Sequence, residues 1–386
     1  MCSICALKDT HPGVTLGADG VCSVCKLDTA GELLANFSYT KRVFEEFACS
    51  GPDPRSDYDC LFLYSGGKDS TYLLDKYVNE HGKRVLSYTF DVPFESTYAA
   101  ENIKLARERI PATFVVDSDD DTLKAVMREV FNRPVDRPGK YLDEKLPCVS
   151  CRTFFVMRAI LHAFRLRIRY IVLGADPQQI LTMTSDVREI VRGFWQAFGQ
   201  QLADGPMGSE LEDILFAPED DLPRIVFPFI ADRYSYDPQR IVAELKEKGL
   251  YASSPLETHC TLFPLLNYYS YANWDCMFYK LNAASYRRSV RRNAGHGRTT
   301  FSLAFPRAAE LPDLEERLKG LVLDIAAGHG DADEQERELV DVFTRLDAGE
   351  EAARFVARQF LDMRRTAAEL GIELPAAGVA GAEVGQ

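Results

Sequence analysis

One short stretch of the sequence, from Ser65 to Ser70, combines the residue types that bind phosphate. It reads Ser-Gly-Gly-Lys-Asp-Ser and follows an apolar run that starts at Cys60. Two adjacent glycines let the backbone turn so that successive N–H groups point to one spot, and a helix after the turn adds the positive end of its dipole. Lys68 supplies a point charge and the serines supply hydroxyl donors. The stretch predicts an anion site, with a spacing that is neither the Walker loop nor the dinucleotide glycine motif.

A second set of reactive residues is a group of four cysteines in two Cys-x-x-Cys pairs near the N-terminus: Cys2, Cys5, Cys22 and Cys25. Two pairs of this spacing place four thiolates around one tetrahedral ion, for which Zn²⁺ is the default occupant. Four protein ligands leave no open position on the metal. We therefore expect a structural zinc that folds a small ribbon.

A third Cys-x-x-Cys pair, Cys148 and Cys151, immediately precedes an apolar helical run from Phe154 to Phe164, and a lone Cys260 follows much later. At a helix N-terminus the dipole favours the thiolate, so we expect lowered pKa values for the pair. Either redox chemistry or metal ligation follows from such thiols. Zinc binding by the pair, or reduced thiols with a buried Cys260, remains open as the alternative.

Strands and helices alternate around these residues in the pattern of a parallel α/β sheet. Strands are predicted at Leu61–Tyr64, Arg84–Phe90, Thr113–Asp117 and Tyr170–Leu173. Right-handed crossovers bring the strand C-termini to one edge, where ligands bind. The residues that close the second and fourth strands are therefore binding candidates: Phe90, Asp91, Gly174 and Asp176. For the first two, which would contact adenine or ribose, an ordinary strand end is an equal alternative.

Length, charge and composition limit the class of protein. A chain of 386 residues exceeds the usual size of a single core, so two or three domains are expected. The formal net charge of −13 disfavours a general nucleic-acid binder, because phosphate contacts need positive faces. No stretch approaches the length of a membrane span and the N-terminus lacks a signal-peptide core, so we expect a cytoplasmic protein without a membrane partner.

The phosphate stretch resembles the S-G-G-x-D-S signature of the PP-loop ATP pyrophosphatases, in the adenine nucleotide alpha-hydrolase-like superfamily. Members adenylate a substrate and release pyrophosphate, so the resemblance implies ATP and Mg²⁺ as cofactors. It also implies catalytic roles for Lys68 and Asp69. The residues that it assigns to nucleotide binding in the loop are Ser65, Gly66, Gly67, Lys68, Asp69 and Ser70.

Within that superfamily, roughly residues 1–270 resemble the iron–sulfur-dependent thiouridine synthetases. These enzymes have N-terminal zinc knuckles, the phosphate loop, a central Cys-x-x-Cys and one distant cysteine, and this chain has each in order. The resemblance implies that Cys148, Cys151 and Cys260 hold a [4Fe–4S] cluster and take part in catalysis. Three thiolates leave one iron open, and an open iron can bind hydrosulfide beside an adenylated carbon.

Two departures from that family concern the acceptor. The family's Gly-His-Asn-x-x-Asp is replaced here by Gly-Ala-Asp-Pro-Gln-Gln from Gly174, in which Asp176 is the candidate catalytic acid. The family's second, C-terminal zinc knuckle is absent, and a basic run at Tyr286–Arg292 stands in this part of the chain. Such a run is most often a solvated helix face, with phosphate binding as the alternative. The first departure leaves the identity of the acceptor open, and the loss of the second knuckle disfavours tRNA.

The N-acetyl sugar amidotransferases resemble the beginning of the chain equally well. They share the first Cys-x-x-Cys, a segment like Thr10-His-Pro-Gly-Val-Thr, a segment like Ala18-Asp-Gly-Val-Cys, and the same phosphate loop. Those enzymes transfer ammonia, passed from a glutaminase partner, to an adenylated sugar. Cys148, Cys151 and Cys260 are what favour sulfur over ammonia here.

Together these features predict a Rossmann-like, doubly wound α/β protein with an N-terminal zinc ribbon and a C-terminal helical extension. The expected divisions are a ribbon (1–30), a helical linker (31–58), a PP-loop adenylation domain with the iron–sulfur site (59–270), a helical region (271–372) and a disordered tail (373–386). The expected activity is ATP-dependent sulfur transfer to a small or carrier-bound substrate, with an amidotransferase and a tRNA-thiolating enzyme as alternatives. The expected sulfur donor is sulfide or a sulfur-carrier protein, and a homodimer is left open.

Overall fold

A computed structural model describes the chain except at residues 6, 10–13, 27–29, 96, 133–145, 181–182, 203–205, 231–235, 253–259, 279–311, 347 and 375–386. The basic run and almost all of the predicted tail lie outside the described residues. The limits of the predicted divisions stay predictions.

Five parallel strands form the central sheet, in the order β3–β2–β1–β4–β5. They are β1 (Cys60–Leu63), β2 (Val85–Phe90), β3 (Thr113–Asp117), β4 (Tyr170–Leu173) and β5 (Arg224–Val226). The strand order reverses between β1 and β4, and ligands of such sheets bind beyond the carboxyl ends of the strands at that point. The predicted doubly wound parallel sheet is therefore confirmed.

Helices cover the sheet on both sides of this reversal. Up to residue 274 they are α1 (Ser23–Lys26), α2 (Ala30–Cys49), α3 (Lys68–Asp75), α4 (Thr97–Arg109), α5 (Asp120–Asn132), α6 (Leu146–Arg165), α7 (Pro177–Ile180), α8 (Val187–Leu202), α9 (Pro206–Phe216), α10 (Pro238–Glu247) and α11 (Phe263–Trp274). A π-helical turn, Lys76–Glu80, extends α3. In the described part of the chain beyond residue 311, helices follow at Pro312–Ala327, Ala332–Arg345, Glu350–Leu361 and Met363–Leu370.

The sequence of the central strands explains their position. The side chains of β2 and β4 are buried throughout, as expected for parallel strands covered on both faces. Helix α6 packs on this sheet through buried apolar residues that include Phe154, Met157 and Leu161. Because α6 leads into β4, its first turns lie at the carboxyl edge of the sheet.

Local structure after β4 follows the burial of apolar residues. The acidic segment from Glu210 is helical up to Phe216, because Leu211 and Ile214 are buried at helical spacing. Strand β5 ends at Val226, and a 3₁₀ turn follows at Pro228–Ile230. The last two helices are divided at Asp362, where ψ is −5°.

The described C-terminal helices share one apolar core with the sheet, through residues such as Leu318, Phe343 and Phe360. A second, smaller core belongs to the N-terminal cysteines, and it includes Tyr269 of α11 and Cys276. The N-terminal ribbon is thus packed against α11, the helix that follows Cys260. No described helix combines the length and apolar character needed to cross a bilayer.

Candidate active site

The glycine turn after β1 and the start of α3 form one half of the candidate site. Gly66 has a φ of +70°, and a Cβ atom on it would lie 2.6 Å from the Ala99 carbonyl oxygen, so only glycine fits there. Gly67 is the N-cap residue of α3, and it leaves the helix without a side-chain cap. The first amides of α3 are therefore available to an anion, and the anion site itself stays a prediction.

Hydroxyl and amide side chains hold this turn in place. The Ser65 and Ser70 hydroxyls lie 3.2 Å apart, and the Ser70 hydroxyl also donates to the Gly67 carbonyl oxygen at 3.0 Å. The Asn102 amide group donates to the Gly66 carbonyl oxygen at 2.9 Å. The turn is thus fixed before any ligand binds, which reduces the ordering cost of binding.

The end of β4 closes against the same turn. A Cβ atom on Gly174 would lie 2.8 Å from Ser70 Cα and 2.9 Å from Ser70 N. These are backbone atoms, which cannot move aside as a flexible side chain can. The structure therefore brings Gly174 into contact with the loop, and a glycine is required there by this close approach.

Two carboxylates, those of Asp69 and Asp176, lie within electrostatic reach of each other beside the loop. Asp69 Oδ2 accepts hydrogen bonds from Lys68 Nζ at 3.1 Å and Tyr236 Oη at 3.4 Å, whereas the buried Asp69 Oδ1 has no partner among the described residues. Burial raises the pKa of Asp69 to about 6 against the attraction of Lys68, and the charge of Asp176 adds to the rise. An unpartnered carboxylate oxygen near a second carboxylate fits a divalent cation such as Mg²⁺.

Phe90 and Asp91, the candidates at the end of β2, lie in different environments. The Phe90 ring is buried, stacked on Phe155 at 5.4 Å and edge-on to Phe154 at the same distance. The Asp91 side chain is exposed, and its backbone N–H donates to the Asp117 carbonyl oxygen. A role for either residue in nucleotide binding stays a prediction.

Helix α6 and a distant segment bring three cysteines towards one another. Cys148 is exposed and Cys151 is half-buried, in the first two turns of α6. Cys260 comes from the segment before α11, and its backbone forms an antiparallel bridge with Glu95. The Thr261 N–H extends this pairing by donating a hydrogen bond to the Phe94 carbonyl oxygen at 3.0 Å.

The thiols of this set influence one another's ionisation. Burial raises the pKa of Cys151, and the charges of Cys260, Cys148 and Glu95 add to the rise. Burial likewise raises the pKa of Cys260 to about 12, with contributions from Cys148 and Glu95. The lowered pKa expected for Cys151 is therefore wrong, because burial and neighbouring negative charges outweigh the helix dipole. A cationic group among these thiols would offset the repulsion of their thiolates.

The spacing of the cysteines separates two kinds of metal site. Among the described residues, only the four N-terminal cysteines have ligand atoms that all lie within 4.8 Å of one another. Zn–S bonds of about 2.3 Å place tetrahedral sulfurs about 3.8 Å apart. Cys148, Cys151 and Cys260 do not form such a group, so the structure does not arrange the three as ligands of one tetrahedral zinc ion.

The N-terminal cysteines have the geometry of a four-thiolate site. The Cys2 and Cys25 sulfurs lie 3.9 Å apart, and those of Cys5 and Cys22 lie 3.7 Å apart. Backbone N–H groups of Ile4 and Cys22 donate to the Cys2 sulfur at 3.4 and 3.3 Å, and the Cys25 N–H donates to the Cys22 sulfur at 3.4 Å. This donor set fits one Zn²⁺ ion.

Three side chains near these groups were missed by sequence reasoning. Glu95 interacts through its charge with Tyr64, which directly precedes the phosphate loop, and with two of the cysteines. Tyr236 contacts Asp69, and Asn102 contacts the loop itself. For Glu95, the one local signal is its position shortly after the end of β2, at the edge where ligands bind.

The chain is therefore an α/β protein with a doubly wound parallel sheet, and a glycine turn with a carboxylate pair beside it lies at the reversal of strand order, an arrangement suited to a phosphate-containing ligand.

No protein-family profile matches the chain, and no curated protein matches it. Similar solved structures include NMN synthetase from Francisella tularensis, with 10% identity over 71% of this chain and 98% of that chain and a TM-score of 0.30. The U34-tRNA thiolase NcsA from Methanococcus maripaludis with its [4Fe-4S] cluster has 15% identity over 70% of this chain and 82% of that chain, with a TM-score of 0.32. A glutamine-dependent NAD+ synthetase from Acinetobacter baumannii in complex with ADP has 16% identity over 64% and 51%, with a TM-score of 0.26. These neighbours are PP-loop superfamily members.

Proposed function

We propose that this chain is an ATP-dependent sulfurtransferase of the PP-loop type. In the proposed reaction a substrate oxygen attacks the α-phosphate of ATP, pyrophosphate leaves, and sulfur then replaces the adenylated oxygen as AMP departs. The acceptor is a small molecule or a carrier-bound group, since the net charge of −13 disfavours a nucleic acid. The sulfur donor is sulfide or a sulfur-carrier protein.

The ATP half of the reaction is assigned to the loop between β1 and α3. Amides at the start of α3 would hold phosphate oxygens, with hydroxyl donors from Ser65 and Ser70. Lys68 would stabilise the charge that develops on the phosphates as pyrophosphate leaves. Asp69 and Asp176 would hold Mg²⁺, which offsets the remaining phosphate charge when bound.

The sulfur half is assigned to Cys148, Cys151 and Cys260. These thiolates would hold a [4Fe–4S] cluster, which when bound presents one iron without a cysteine ligand to sulfide. The supporting feature is the mutual electrostatic repulsion of the three thiolates, which a bound cationic group would offset. Cys2, Cys5, Cys22 and Cys25 would hold a structural zinc away from the reaction.

The observation that carries the proposal is the position of Glu95. Its charge interacts with Tyr64 at the start of the phosphate loop and with the Cys151 and Cys260 thiols. Its backbone is paired with Cys260. One residue therefore lies within electrostatic reach of both proposed halves, as a single active site requires.

Anaerobic reconstitution with iron and sulfide tests the sulfur half. We expect about four irons and four acid-labile sulfides per wild-type chain. Cys148→Ala, Cys151→Ala and Cys260→Ala should each lower both contents. Cys49→Ala is the matched control, because Cys49 is an exposed cysteine outside either set. A wild type that binds no iron would contradict the proposal. Loss of iron from Cys49→Ala to the same extent as from the three cysteine variants would also contradict it.

Measurement of AMP and pyrophosphate tests the ATP half independently. The acceptors are a panel of nucleotide sugars and bulk tRNA, each with sulfide or with ammonium as nucleophile. Lys68→Ala should abolish AMP formation while the cluster absorbance is unchanged, and retained turnover would refute the loop assignment. AMP formation by a cluster-free wild type with ammonium alone would identify an amidotransferase instead. AMP formation with tRNA and sulfide would identify a tRNA-thiolating enzyme.

A further inference from the structure

Glu95 is an acidic residue to which the proposed reaction gives no chemical task. Its side chain is half-buried in the segment that follows β2. A partly buried carboxylate is stabilised when a cation binds it. The nearest chemistry is the cysteine set, since the charge of Glu95 acts on Cys151 and Cys260.

The backbone pairing indicates where the carboxylate extends. Glu95 and Cys260 face each other across an antiparallel bridge, and residues directly opposite in such a bridge send their side chains to the same face. The Cys260 thiol is the distant member of the proposed iron–sulfur ligands. The carboxylate of Glu95 is therefore on the cluster side of this pairing, whereas Asp91, earlier in the segment, is exposed.

We propose that Glu95 is a fourth, exchangeable protein ligand that binds the iron left open by Cys148, Cys151 and Cys260. This inference rests on the proposed function, because it needs the cluster. Glu95 coordinates through a carboxylate oxygen in the resting protein and leaves when hydrosulfide arrives. The Fe–O bond breaks with its electron pair returning to the carboxylate, an Fe–S bond forms from a sulfur lone pair, and no atom is oxidised or reduced.

An exchangeable carboxylate fits a half-buried acidic residue whose backbone pairs with a cysteine of the proposed cluster. A fourth thiolate would bind iron too firmly to be displaced, and an empty position would expose the iron to water and to loss. A carboxylate oxygen is a harder ligand than sulfide, so sulfide displaces it from iron. Glu95 thus occupies the coordination site on the fourth iron until hydrosulfide is available to displace it.

The test compares hydrosulfide binding to reconstituted wild type, Glu95→Gln and Glu95→Cys, followed by absorbance and by ⁵⁷Fe Mössbauer spectroscopy. Glu95→Gln removes a competing ligand, so its apparent hydrosulfide affinity should be about tenfold higher if Glu95 occupies the iron in roughly nine molecules of ten. Glu95→Cys supplies a fourth thiolate, so hydrosulfide binding should be lost and the four irons should become alike in the Mössbauer spectrum. Glu101→Gln, an exposed carboxylate on α4, is the control and should match the wild type.

The outcomes separate this inference from the proposed function. A wild type without iron overturns both. A wild type with its cluster, together with Glu95→Gln that binds hydrosulfide as the wild type does, overturns the Glu95 ligand alone. If Glu95→Gln does not assemble a cluster, Glu95→Cys decides, and hydrosulfide binding by that variant with wild-type affinity overturns the inference.

Discussion

Asp69→Asn should make the protein more stable and inactive at the same time. Burial raises the pKa of Asp69 from 3.8 to about 6 despite the attraction of Lys68 and the hydrogen bond from Tyr236. The Asp69 side chain is only 15% exposed, so solvent screens this effect little. A shift of about 2 pKa units corresponds to about 3 kcal/mol by which folding disfavours the ionised carboxylate. Asparagine keeps the shape of the side chain without the charge.

The sign of the pH dependence follows from the raised pKa. The folded protein holds the Asp69 proton more tightly than the unfolded chain, so this group's contribution to stability falls as the pH rises from about 4 to about 6 and is constant above. The Asp69→Asn variant lacks that decline. Its free energy of unfolding should exceed that of the wild type by up to about 3 kcal/mol at pH 8, and by about half as much at pH 5.

Urea unfolding of both proteins across this pH range, without ATP or added Mg²⁺, measures the difference. AMP formation should be lost in the variant, because Lys68 and a bound cation lose their carboxylate. Asp57→Asn, at an exposed aspartate before β1, is the control and should change neither property by much. An Asp69→Asn protein that is less stable than the wild type at pH 8, or equally stabilised at every pH, would refute the reasoning.

Two further predictions concern the loop and the ribbon. Gly174→Ala should raise the KM for ATP and lower the free energy of unfolding by about 1–3 kcal/mol, because its Cβ would lie 2.8 Å from Ser70 Cα. Gly193→Ala on α8 is the control, since a Cβ there meets nothing within 4 Å, and it should change the KM little in the same assay. Cys22→Ser should lower the zinc content measured by elemental analysis and expose the Leu7 core of the ribbon to proteolysis, while the iron content is retained. Loss of iron in parallel with zinc would show that the two cysteine sets are not independent.

The local parts of this site were predictable from sequence because their signals are local. A strand, two glycines and a helix start occupy consecutive positions, and strand ends at Phe90 and Leu173 follow from apolar runs bounded by polar residues. The start of α6 was placed too late, at Phe154, although Pro147 in its first turn is a recognised signal for a helix start. That signal would have put Cys148 and Cys151 on the helix.

The contacts of Glu95, Tyr236 and Asn102 depend on tertiary pairing, which no local pattern encodes. Glu95 meets Cys260 only through a bridge between distant segments, and Tyr236 meets Asp69 across the sheet. From the sequence alone, a glutamate that is half-buried in the folded protein cannot be distinguished from one on the surface. Sequence reasoning therefore finds the residues of the phosphate loop and misses those that connect the loop to the cysteines.

Asn102 connects the phosphate loop to Ala252, and a backbone bridge connects the segment after β2 to Cys260. The fully buried Asn102 donates to the Gly66 carbonyl oxygen at 2.9 Å and accepts from the Ala252 N–H at 2.6 Å, a short distance before Cys260 in the chain. The Glu95 bridge makes the second connection from the end of β2. Because a buried amide with both groups satisfied is costly to break, the loop and Ala252 hold a fixed relative position. In the proposed reaction an adenylated substrate and a sulfur source must meet within bonding distance, and ordered surroundings of the phosphate loop and of Cys260 favour that meeting.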